Sequence, residues 1–417
     1  MALCLVYALL AALPAAAGSN LVLATAGGSP DWLLGPLRFA GAPGADGPLA
    51  GPLFLAGLAL AFALHCGVLT QARSISPGVI AAVIGGLHLL FLLAPPLLSQ
   101  DVFSYIAYAR LGVEHGLDPY SAAPAVIPLD PVHPFAGSKD AVSAYGPLFT
   151  LLTYPLAPLG LSASLWILKA LAAVASLGLV TLVWRAARAL GQDPRPAALL
   201  VGLSPLTLVH VVGGAHNEAL VVAGTMAGVL AFTSGRERTG AGLATLAAGL
   251  KASAGLVVPF LVLGARRAGA ALAAAIAAGL AVAGIALLGF GADALDALGL
   301  IGSNQERTSR FSFPYRTAEL LGAVLPGDRL DYRSAVRALY AAAFALLLAW
   351  LLLRTRRGAD PLASAGWATA GLLVASAWLV PWYGLWLLPL AALSGDRRLI
   401  IATLALTAWM LPIAVPL

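Results

Sequence analysis

Charged residues are scarce in this 417-residue chain, and cysteine is almost missing. Only 10% of the residues are Asp, Glu, Lys or Arg, whereas a soluble domain carries about 25%. The chain therefore has too little polar surface to coat a soluble particle. The only two cysteines, Cys4 and Cys66, lie in apolar runs, so we predict neither a disulfide framework nor a cysteine metal site.

Several signature motifs are absent as well. The sequence contains no GxGxxG, no Walker motif and no HExxH. A cytosolic nucleotide is therefore not indicated as a group donor. The net charge of +6 comes from basic residues scattered through short loops, and this distribution does not suggest nucleic-acid binding.

Apolar sequence is what the chain has in abundance. Hydrophobic residues make up 60% of it, and the mean hydropathy is +0.91. Runs close to the roughly 20 residues needed to cross a bilayer recur along the whole length. We predict an all-α polytopic membrane protein with about 11–13 transmembrane helices, forming a single domain over residues 1–417. The first run is expected to be a retained helix, since no Lys or Arg precedes it as in a signal peptide.

The arginine-bearing short loops predict the topology. They alternate as cytoplasmic loops if residues 146–160 form an interfacial segment and residues 240–264 cross as two half-helices around Lys251. The loops 26–50, 99–145 and 291–333 then face outward together. All but four of the 18 acidic residues lie in or beside these outward segments, so we place the active site on that face.

The first outer loop, 99–145, carries the main candidate for catalysis. If residues 101–111 are helical, Asp101, Tyr105 and Tyr108 share one face. A carboxylate beside aromatic rings suits a general base that accepts the proton of a sugar hydroxyl. The alternative is that Asp101 caps the helix while the tyrosines form an interfacial belt.

Further along this loop lie three candidates for binding sugar hydroxyls. Tyr145 stands where the chain re-enters the membrane, so it could lie under the same pocket. His115 and Asp118 stand in the turn after the predicted helix, where they could bind a hydroxyl or a phosphate. They could equally be ordinary turn residues.

A second polar cluster follows the pair Gly213-Gly214. Adjacent polar residues so near hydrocarbon are costly, which favours a functional role for His216, Asn217 and Glu218. Glu218 could instead favour the dipole of the helix that it begins. Lys251 could snorkel to the interface or provide a point charge for a phosphate.

The second outer loop, 291–333, contains arginines on the face that topology disfavours for them. Recognition of an anionic group such as phosphate would explain Arg307, Arg310 and Arg316; binding of anionic lipid head groups is the alternative. The later PWYGLW sequence is predicted to be an interfacial aromatic belt or part of a lipid-chain groove.

Four segments in order carry a family resemblance: SQDVFSYIAYARLGVEHGLDPY, SAYGPLFTLL, SPLTLVHVVGGAHNEAL and LKASAGLVVPFL. This order resembles bacterial polyprenol-phosphate-mannose-dependent α-1,6-mannosyltransferases of the GT-C superfamily. The resemblance implies a GT-C-like bundle with short helices in the outer loops. It also implies a multi-pass enzyme of the bacterial plasma membrane, with its active site on the extracytoplasmic face and a role in lipoglycan biosynthesis.

By this resemblance, Asp101 deprotonates an acceptor hydroxyl, which displaces the lipid phosphate with inversion. Lys251, His216 and the three arginines would stabilise the donor phosphate, and the remaining candidates would bind the acceptor: Tyr105, Tyr108, His115, Asp118, Tyr145, Asn217 and Glu218. The expected partners are a polyprenyl-phosphate sugar, a glycan or glycolipid acceptor and membrane lipid, with no nucleic acid. No cofactor is required, although Asp101 with Glu218 could bind a divalent metal. A different lipid-linked sugar, such as arabinose or glucose, and a lipid-linked sugar transporter or flippase stay open.

Overall fold

The computed structural model describes residues 1–16, 19–22, 30–40, 49–292, 308–325 and 329–416. All the regular secondary structure in these ranges is helical, which confirms the predicted all-α class. The α-helices are α1 Ala2–Ala12, α2 Asp31–Leu34, α3 Ala50–Thr70, α4 Pro77–Leu93, α5 Asp101–Glu114, α6 Pro147–Thr153, α7 Gly160–Ala189, α8 Pro194–Gly202, α9 Glu218–Thr233, α10 Glu237–Ala248, α11 Val258–Gly264, α12 Ala268–Phe290, α13 Phe313–Val324, α14 Arg329–Arg356, α15 Pro361–Ala375, α16 Leu388–Leu393 and α17 Arg397–Met410. The 3₁₀ helices are Leu13–Ala15, Gly35–Ala40, Ala72–Ser74, Pro124–Val126, Tyr154–Leu159, Ala252–Val257 and Pro381–Trp386, and Leu206–Gly213 is a π-helix.

Several helices are long and apolar enough to cross a membrane. Four helical stretches meet this condition, and a fifth is added if α8 and the π-helix, bent by 48°, count as one span. The four are Ala50–Thr70, Pro147–Ala189, Ala268–Phe290 and Tyr332–Arg356. Six further apolar helices have 10–17 residues, because prolines and glycines divide many of the apolar runs. The polytopic membrane class is confirmed, while the number of about 11–13 spans stays a prediction.

The outward faces of these helices explain why the chain needs a bilayer. On α12 the side chains of Leu272, Ile276 and Leu280 are 49%, 53% and 68% exposed. Such a continuous apolar surface is unfavourable in water. Between the helices, polar groups pair inside the core: the Tyr7 hydroxyl donates to the Leu203 carbonyl at 2.6 Å. Such interhelical hydrogen bonds satisfy polar groups that hydrocarbon would leave unpaired.

Two irregular segments bring loops together at one end of the bundle. The stretch 240–264 is divided into α10 and the pair of helices that begins at Ala252, so the two half-helices expected around Lys251 are observed. The stretch 146–160 is also helical, as α6 followed by the 3₁₀ helix Tyr154–Leu159, and Gly160, with φ 79°, separates it from the rest of α7. That residues 146–160 stay at the interface is still a prediction.

Of the second predicted loop, 291–333, the structure describes residues 291–292, 308–325 and 329–333, which include α13 and the beginning of α14. The Ser312 hydroxyl caps α13 by accepting from the Tyr315 N–H. Just before this helix, the Ser309 N–H donates to the Ala377 carbonyl at 2.9 Å. The described part of this loop therefore lies against the segment that leads into PWYGLW.

A buried carboxylate, Asp130, joins the end of α5 to the rest of the first loop, 99–145. Asp130, with a side chain only 1% exposed, accepts from Arg110 Nε at 2.9 Å and pairs with His115 Nε2 at 2.8 Å. Burial alone would raise the pKa of Asp130, but the hydrogen bonds from Arg110, His115 and the Val132 N–H outweigh it and hold the pKa below its ordinary value. The Arg110–Asp130–His115 cluster thus holds the end of α5 against the rest of the loop.

We expect Asp130→Asn to destabilise this loop by about 3 kcal/mol, because it leaves the Arg110 charge buried without its partner. A carboxyl whose pKa is lower in the folded state stabilises the fold above its unfolded pKa, and this contribution is lost as the pH falls through the folded value. The difference in the free energy of unfolding between wild type and variant should therefore have its full size at neutral pH and become smaller below about pH 4. Limited proteolysis of the detergent-solubilised protein across pH 3–7 would measure it, with exposed Asp140→Asn as the control. A difference that grows with acidity would contradict the assignment.

Candidate active site

Asp101 stands at the first position of α5, after a sharp change of direction. The helix α4 ends before Pro95-Pro96, and Leu98 then adopts a left-handed backbone with φ 57°, an uncommon conformation for a residue with a branched side chain. The Ser99 hydroxyl accepts from the Asp101 N–H at 3.1 Å. The Asp101 side chain is left 31% exposed and faces a second turn.

That second turn contains the GGAHNE sequence and follows the π-helix. Ala215 is also left-handed, with φ 57°. A side chain on Gly214 would meet the His210 carbonyl oxygen at 2.4 Å, and one on Gly213 would meet Leu97 at 2.8 Å. Gly214 is therefore required for the close packing of this turn, whereas a side chain at position 213 would displace the end of the Leu97 side chain. Backbone strain of this kind concentrates at functional sites, and here both facing turns carry it.

His216 is the point where the two turns meet. Its Nδ1 lies 3.4 Å from Asp101 Oδ2 and 3.8 Å from Glu218 Oε2. The imidazole is fully buried, and it stacks on the Trp382 ring with the centroids 3.7 Å apart and the planes at 19°. The histidine thus lies between two carboxylates and is held in place by an aromatic face.

Glu218 pairs with Lys251, which comes from the break between the half-helices. Lys251 Nζ donates to Glu218 Oε1, and the Glu218 carboxylate is fully buried. The ammonium also lies 4.9 Å from the centroid of Tyr383 and 5.6 Å from that of Tyr145, within range of cation–π attraction. The side chain of this cation is 14% exposed, and its charge acts on Asp101 as well as on Glu218.

A backbone contact between two loops brings Tyr145 to this cation. The Gly146 N–H donates to the Leu250 carbonyl at 2.9 Å, and the Leu148 N–H donates to the Gly249 carbonyl at 3.0 Å. A Cβ on Gly146 would meet the Gly249 oxygen at 2.2 Å, so only glycine permits the approach. The sequence-based expectation that Tyr145 could lie under the same pocket agrees with this placement.

The pKa values of the loop residues fit their surroundings. Burial by itself would raise the pKa of Asp101, but His216, the Lys251 charge and the Ser99 hydroxyl favour the ionised form, so its pKa lies below the ordinary value. For Tyr105 and Tyr145, burial, followed by the charges of Asp101 and Glu218, raises the pKa well above the usual range. At neutral pH the site therefore presents an ionised Asp101 between neutral phenols.

Several polar atoms of the GGAHNE turn are buried without a hydrogen-bond partner in the described residues. They are both ring nitrogens of His216, both amide atoms of Asn217 and Glu218 Oε2. Native proteins satisfy nearly all of their buried polar atoms, and a group of exceptions in one place calls for an explanation. A polar ligand between Asp101 and this turn would provide the missing partners.

The described ranges contain no group of three His, Cys, Asp or Glu side chains arranged to hold a metal ion. Between Asp101 and Glu218, considered from the sequence as a divalent site, lies His216, while Lys251 pairs with Glu218.

Comparison with known proteins identifies the chain. Residues 8–267 match the family model described as alpha-(1->6)-mannopyranosyltransferase, N-terminal domain, and residues 320–417 match the MptB C-terminal domain. The chain belongs to the alpha-(1->6)-mannopyranosyltransferase family. It is therefore a mannosyltransferase by family, in agreement with the resemblance noted in the sequence.

Individual relatives extend over most of the chain. Alpha-(1->6)-mannopyranosyltransferase A of Mycobacterium tuberculosis is 31% identical over 356 residues, which cover 78% of this chain and 67% of that protein. A probable alpha-(1->6)-mannopyranosyltransferase of Mycolicibacterium smegmatis is 29% identical over 374 residues, covering 76% and 65% of the two chains. This mannosyltransferase thus spans about two thirds of the length of these relatives. No solved structure matches it.

Not every predicted site residue lies with Asp101, His216, Glu218 and Lys251. Tyr105 does, since its hydroxyl accepts from the Asn217 N–H at 3.4 Å and its ring packs edge-on against Tyr145. Tyr108 is turned to the loop backbone and donates to the Ala141 carbonyl at 2.8 Å. The structure therefore gives Tyr108 a contact that holds the loop, and its binding of an acceptor is untested.

His115 and Asp118 lie beyond the far end of α5 from Asp101. The helix has 14 residues and is therefore about 20 Å long. His115 pairs with Asp130, and Asp118 accepts from the Tyr120 N–H at 2.8 Å, the geometry of an Asx turn. His115 thus belongs to the Asp130 cluster and Asp118 to an Asx turn, and the binding of a hydroxyl or phosphate by either residue stays a prediction.

The arginines predicted to bind phosphate are not brought to Asp101 by any contact in the described residues. Arg307 lies outside those residues. Arg310 and Arg316 are exposed, and the Arg316 guanidinium stands over the Phe311 ring at 5.4 Å. Lys251 is instead the cation that the described structure places beside the carboxylates.

Sequence reasoning missed two contributors to the site. The PWYGLW sequence was expected to be a belt or a lipid groove, yet Trp382 is 8% exposed and supports His216. Its position directly after a proline, next to a buried run, was the available signal. Lys169 was missed entirely, because a single lysine within a long apolar helix resembles a residue that snorkels to the interface.

Lys169 joins the two turns that carry Asp101 and His216. Its fully buried Nζ donates to the Gly213 carbonyl at 2.9 Å, and the same oxygen accepts from the Leu97 N–H at 3.1 Å. One carbonyl therefore ties the segment before Asp101, the turn before His216 and helix α7 together.

We expect Lys169→Met to lower kcat about 10- to 100-fold. Without the bond to the Gly213 carbonyl, the turns of Asp101 and His216 should shift relative to each other, and a shift of about 1 Å between catalytic groups has an effect of this size. KM for either substrate should change less, since Lys169 bonds to a backbone carbonyl and to none of the ligand-facing atoms. Steady-state kinetics in detergent with a mannoside acceptor would measure both. Ser176→Ala is the matched control, because Ser176 lies on the same helix as Lys169 and makes a buried hydrogen bond to His88. Its loss should affect stability but not kcat. Unchanged kcat in Lys169→Met would refute the positioning role.

Proposed function

We propose that the chain transfers mannose from a polyprenyl-phosphate donor to a hydroxyl of a glycan or glycolipid acceptor, with inversion and with Asp101 as the general base. The observation that carries the proposal is the ionised, partly exposed Asp101 carboxylate facing the unpartnered polar atoms of the GGAHNE turn. A base needs to be ionised and reachable by its substrate. Asp101 meets both conditions, whereas Glu218 is buried and bound to Lys251.

The reaction balances as a single displacement. The acceptor oxygen forms a bond to the anomeric carbon, and its proton passes to the Asp101 carboxylate. The bond between the anomeric carbon and the phosphate oxygen breaks, and its electron pair leaves with the polyprenyl phosphate. A β-linked donor would thus give the α-linked product.

Charge on the leaving phosphate calls for a fixed cation nearby. Lys251 has this character, because Glu218 and the rings of Tyr145 and Tyr383 hold its ammonium in one place. Asn217 and His216 offer hydrogen-bonding atoms to the sugars from the same side. Tyr105 and Tyr145 provide aromatic walls, and such rings stack on the apolar faces of sugars.

The membrane setting agrees with a lipid-linked donor. A site between apolar helices can be reached from the bilayer by a substrate with a long hydrocarbon chain. Because the arginine-rich short loops favour the cytoplasm, we place the site at the extracytoplasmic face. The break at Lys251, which the sequence left open to a transport role, here orients a cation toward Glu218 and Asp101.

We expect Asp101→Asn to lower kcat by about 10²- to 10⁴-fold, the usual contribution of a general base. The amide is nearly isosteric but cannot accept the proton. Transfer from labelled polyprenyl-phosphate mannose to an α-mannoside, with the linkage of the product determined, is the measurement. Asp140→Asn changes an exposed carboxylate of the same loop and should retain activity. Wild-type turnover by Asp101→Asn would rule out the assigned base, and transfer of a different sugar would rule out the donor.

The proposed reaction needs no divalent metal, since Lys251 supplies a permanent charge where the phosphate would leave. Transfer should therefore persist, within about twofold of the untreated rate, after EDTA treatment in metal-free buffer. The measurement is initial rate with and without added Mg²⁺ or Mn²⁺. Loss of activity in EDTA, restored by either ion, would contradict this part of the proposal.

A further inference from the structure

A crevice opens between α14 and α15, next to the segment in which Ser309 bonds to Ala377. It consists of two cavities of about 230 Å³ and 570 Å³, which are contiguous because Ser334, Arg337 and Ala377 line both of them. Sites for small ligands have volumes of roughly 300–1,000 Å³. The crevice is therefore large enough for a lipid head group together with part of a hydrocarbon chain.

The two cavities differ in chemistry. The walls of the smaller one are mostly polar and include Thr308, Tyr315, Arg333, Ser334 and Arg337. The walls of the larger one are mainly apolar and include Ala338, Ala341, Phe344, Leu372 and Ala375. Along α14, Arg333, Arg337 and Ala341 are four residues apart and so lie on one face of the helix. A ligand that fills the crevice therefore has a polar end and a hydrocarbon part.

The polar end of the crevice is positively charged. None of the described residues that line the two cavities is acidic. The Arg333 guanidinium pairs with Glu319 at 2.8 Å and stands over the Tyr315 ring at 4.9 Å, yet its Nε is a buried atom with no hydrogen-bond partner in the described residues. Like charges at positions i and i+4 of a helix, as in Arg333 and Arg337, repel each other. An anion between them would relieve the repulsion and accept from Nε.

These arginines stand at the predicted outward end of a membrane span. Tyr332–Arg356 is long and apolar enough to cross a bilayer, and Arg354 and Arg356 mark the end predicted to be cytoplasmic. Cations are disfavoured at the outward end, but lipid phosphates lie at that depth and basic pockets between helices bind them. A head group with its own ammonium would bring another cation to the guanidinium groups, so an anionic head group is favoured.

The donor lipid is not the natural occupant of this crevice. The proposed reaction requires the donor phosphate beside Asp101 and Lys251, and neither residue lines the two cavities. A membrane phospholipid carries the same phosphate chemistry and has no need to reach those residues. The crevice thus fits a second lipid, one that is bound but not consumed.

We propose that this crevice binds an anionic diacyl phospholipid of the surrounding membrane, with its phosphate between Arg333 and Arg337 and one acyl chain along the apolar walls. The proposal goes beyond the transfer reaction and names two arginines outside the predicted set. Because Ala377 in the wall leads into the turn of Trp382, the ring on which His216 stacks, the lipid would lie beside the segment that supports the active site.

Lipid binding can be measured directly, without reference to transfer. Delipidated protein in detergent is titrated with phosphatidylglycerol, phosphatidylcholine, diacylglycerol, polyprenyl phosphate and inorganic phosphate, and the bound ligand is counted by native mass spectrometry. Arg337→Gln removes a charge from the polar end, and Ala341→Trp fills the apolar part without changing an arginine. The matched controls are Arg354→Gln, at the other end of the same helix, and Ala342→Trp, an exposed neighbour that is not part of the lining.

Phosphatidylglycerol should bind the wild type at least tenfold more tightly than phosphatidylcholine. Each of the two variants should weaken this binding about tenfold or more, because Arg337→Gln loses a hydrogen bond to a charged group and Ala341→Trp occupies the place of the acyl chain. Diacylglycerol binding should be weakened by Ala341→Trp alone. Both controls should bind like the wild type, and so should Asp101→Asn, whose transfer should be lost; this separates the proposal from the assignment of the base.

Four results would overturn the proposal. Wild-type affinity for phosphatidylglycerol in both variants would show that the crevice is not the site, and equal affinity for phosphatidylcholine would show that the charge is not recognised. Displacement of the lipid by inorganic phosphate at the same concentration would indicate a site for free phosphate. Tighter binding of polyprenyl phosphate than of phosphatidylglycerol, weakened by the same two variants, would make the donor lipid the occupant.

Discussion

The ion pair between Glu218 and Lys251 is the interaction on which the arrangement of the site depends. A buried carboxylate such as Glu218 and a largely covered ammonium such as Lys251 are each costly to remove from water. The cost is offset only when they meet with further favourable contacts. Here the ammonium has the faces of Tyr145, Tyr383 and Trp386 around it. The pair fixes the break between the half-helices against the beginning of α9, and so it defines where charge is available near Asp101.

A second constraint is geometric and sets the distance between Asp101 and His216. The Gly213 carbonyl accepts from both Leu97 and Lys169, so two chain segments far apart in sequence share one acceptor. The segments of Leu97 and Gly213 each turn through a left-handed residue, Leu98 and Ala215, a costly conformation that these contacts hold in place. The electrostatic pair and this backbone tie together form a preorganised site, the arrangement in which fixed charges and dipoles are most effective.

Much of this could be predicted from the sequence, because its signals are local. The scarcity of charge and the apolar runs predict an all-helical membrane protein, and the start of α5 at Asp101 follows from proline, serine and helix periodicity. Three adjacent polar residues beside hydrocarbon indicated the GGAHNE turn. The role of Asp118 as a turn residue could not be separated from a binding role by pattern alone, since both uses favour the same residue types.

By itself, the sequence determined the helical membrane class, the family and the candidate carboxylate, because composition, periodicity and short motifs are properties of neighbouring residues. Only the tertiary structure decided which polar groups meet. It brought Lys251 to Glu218 and set His216 between a carboxylate and Trp382, whereas His115 went to Asp130 at the other end of α5. These choices depend on helix packing and on backbone approaches such as that of Gly146 to Gly249, which join residues about a hundred positions apart and leave no local pattern. The loop that opens at Asp101 is thus visible in the sequence, while its catalytic surroundings exist only in the fold.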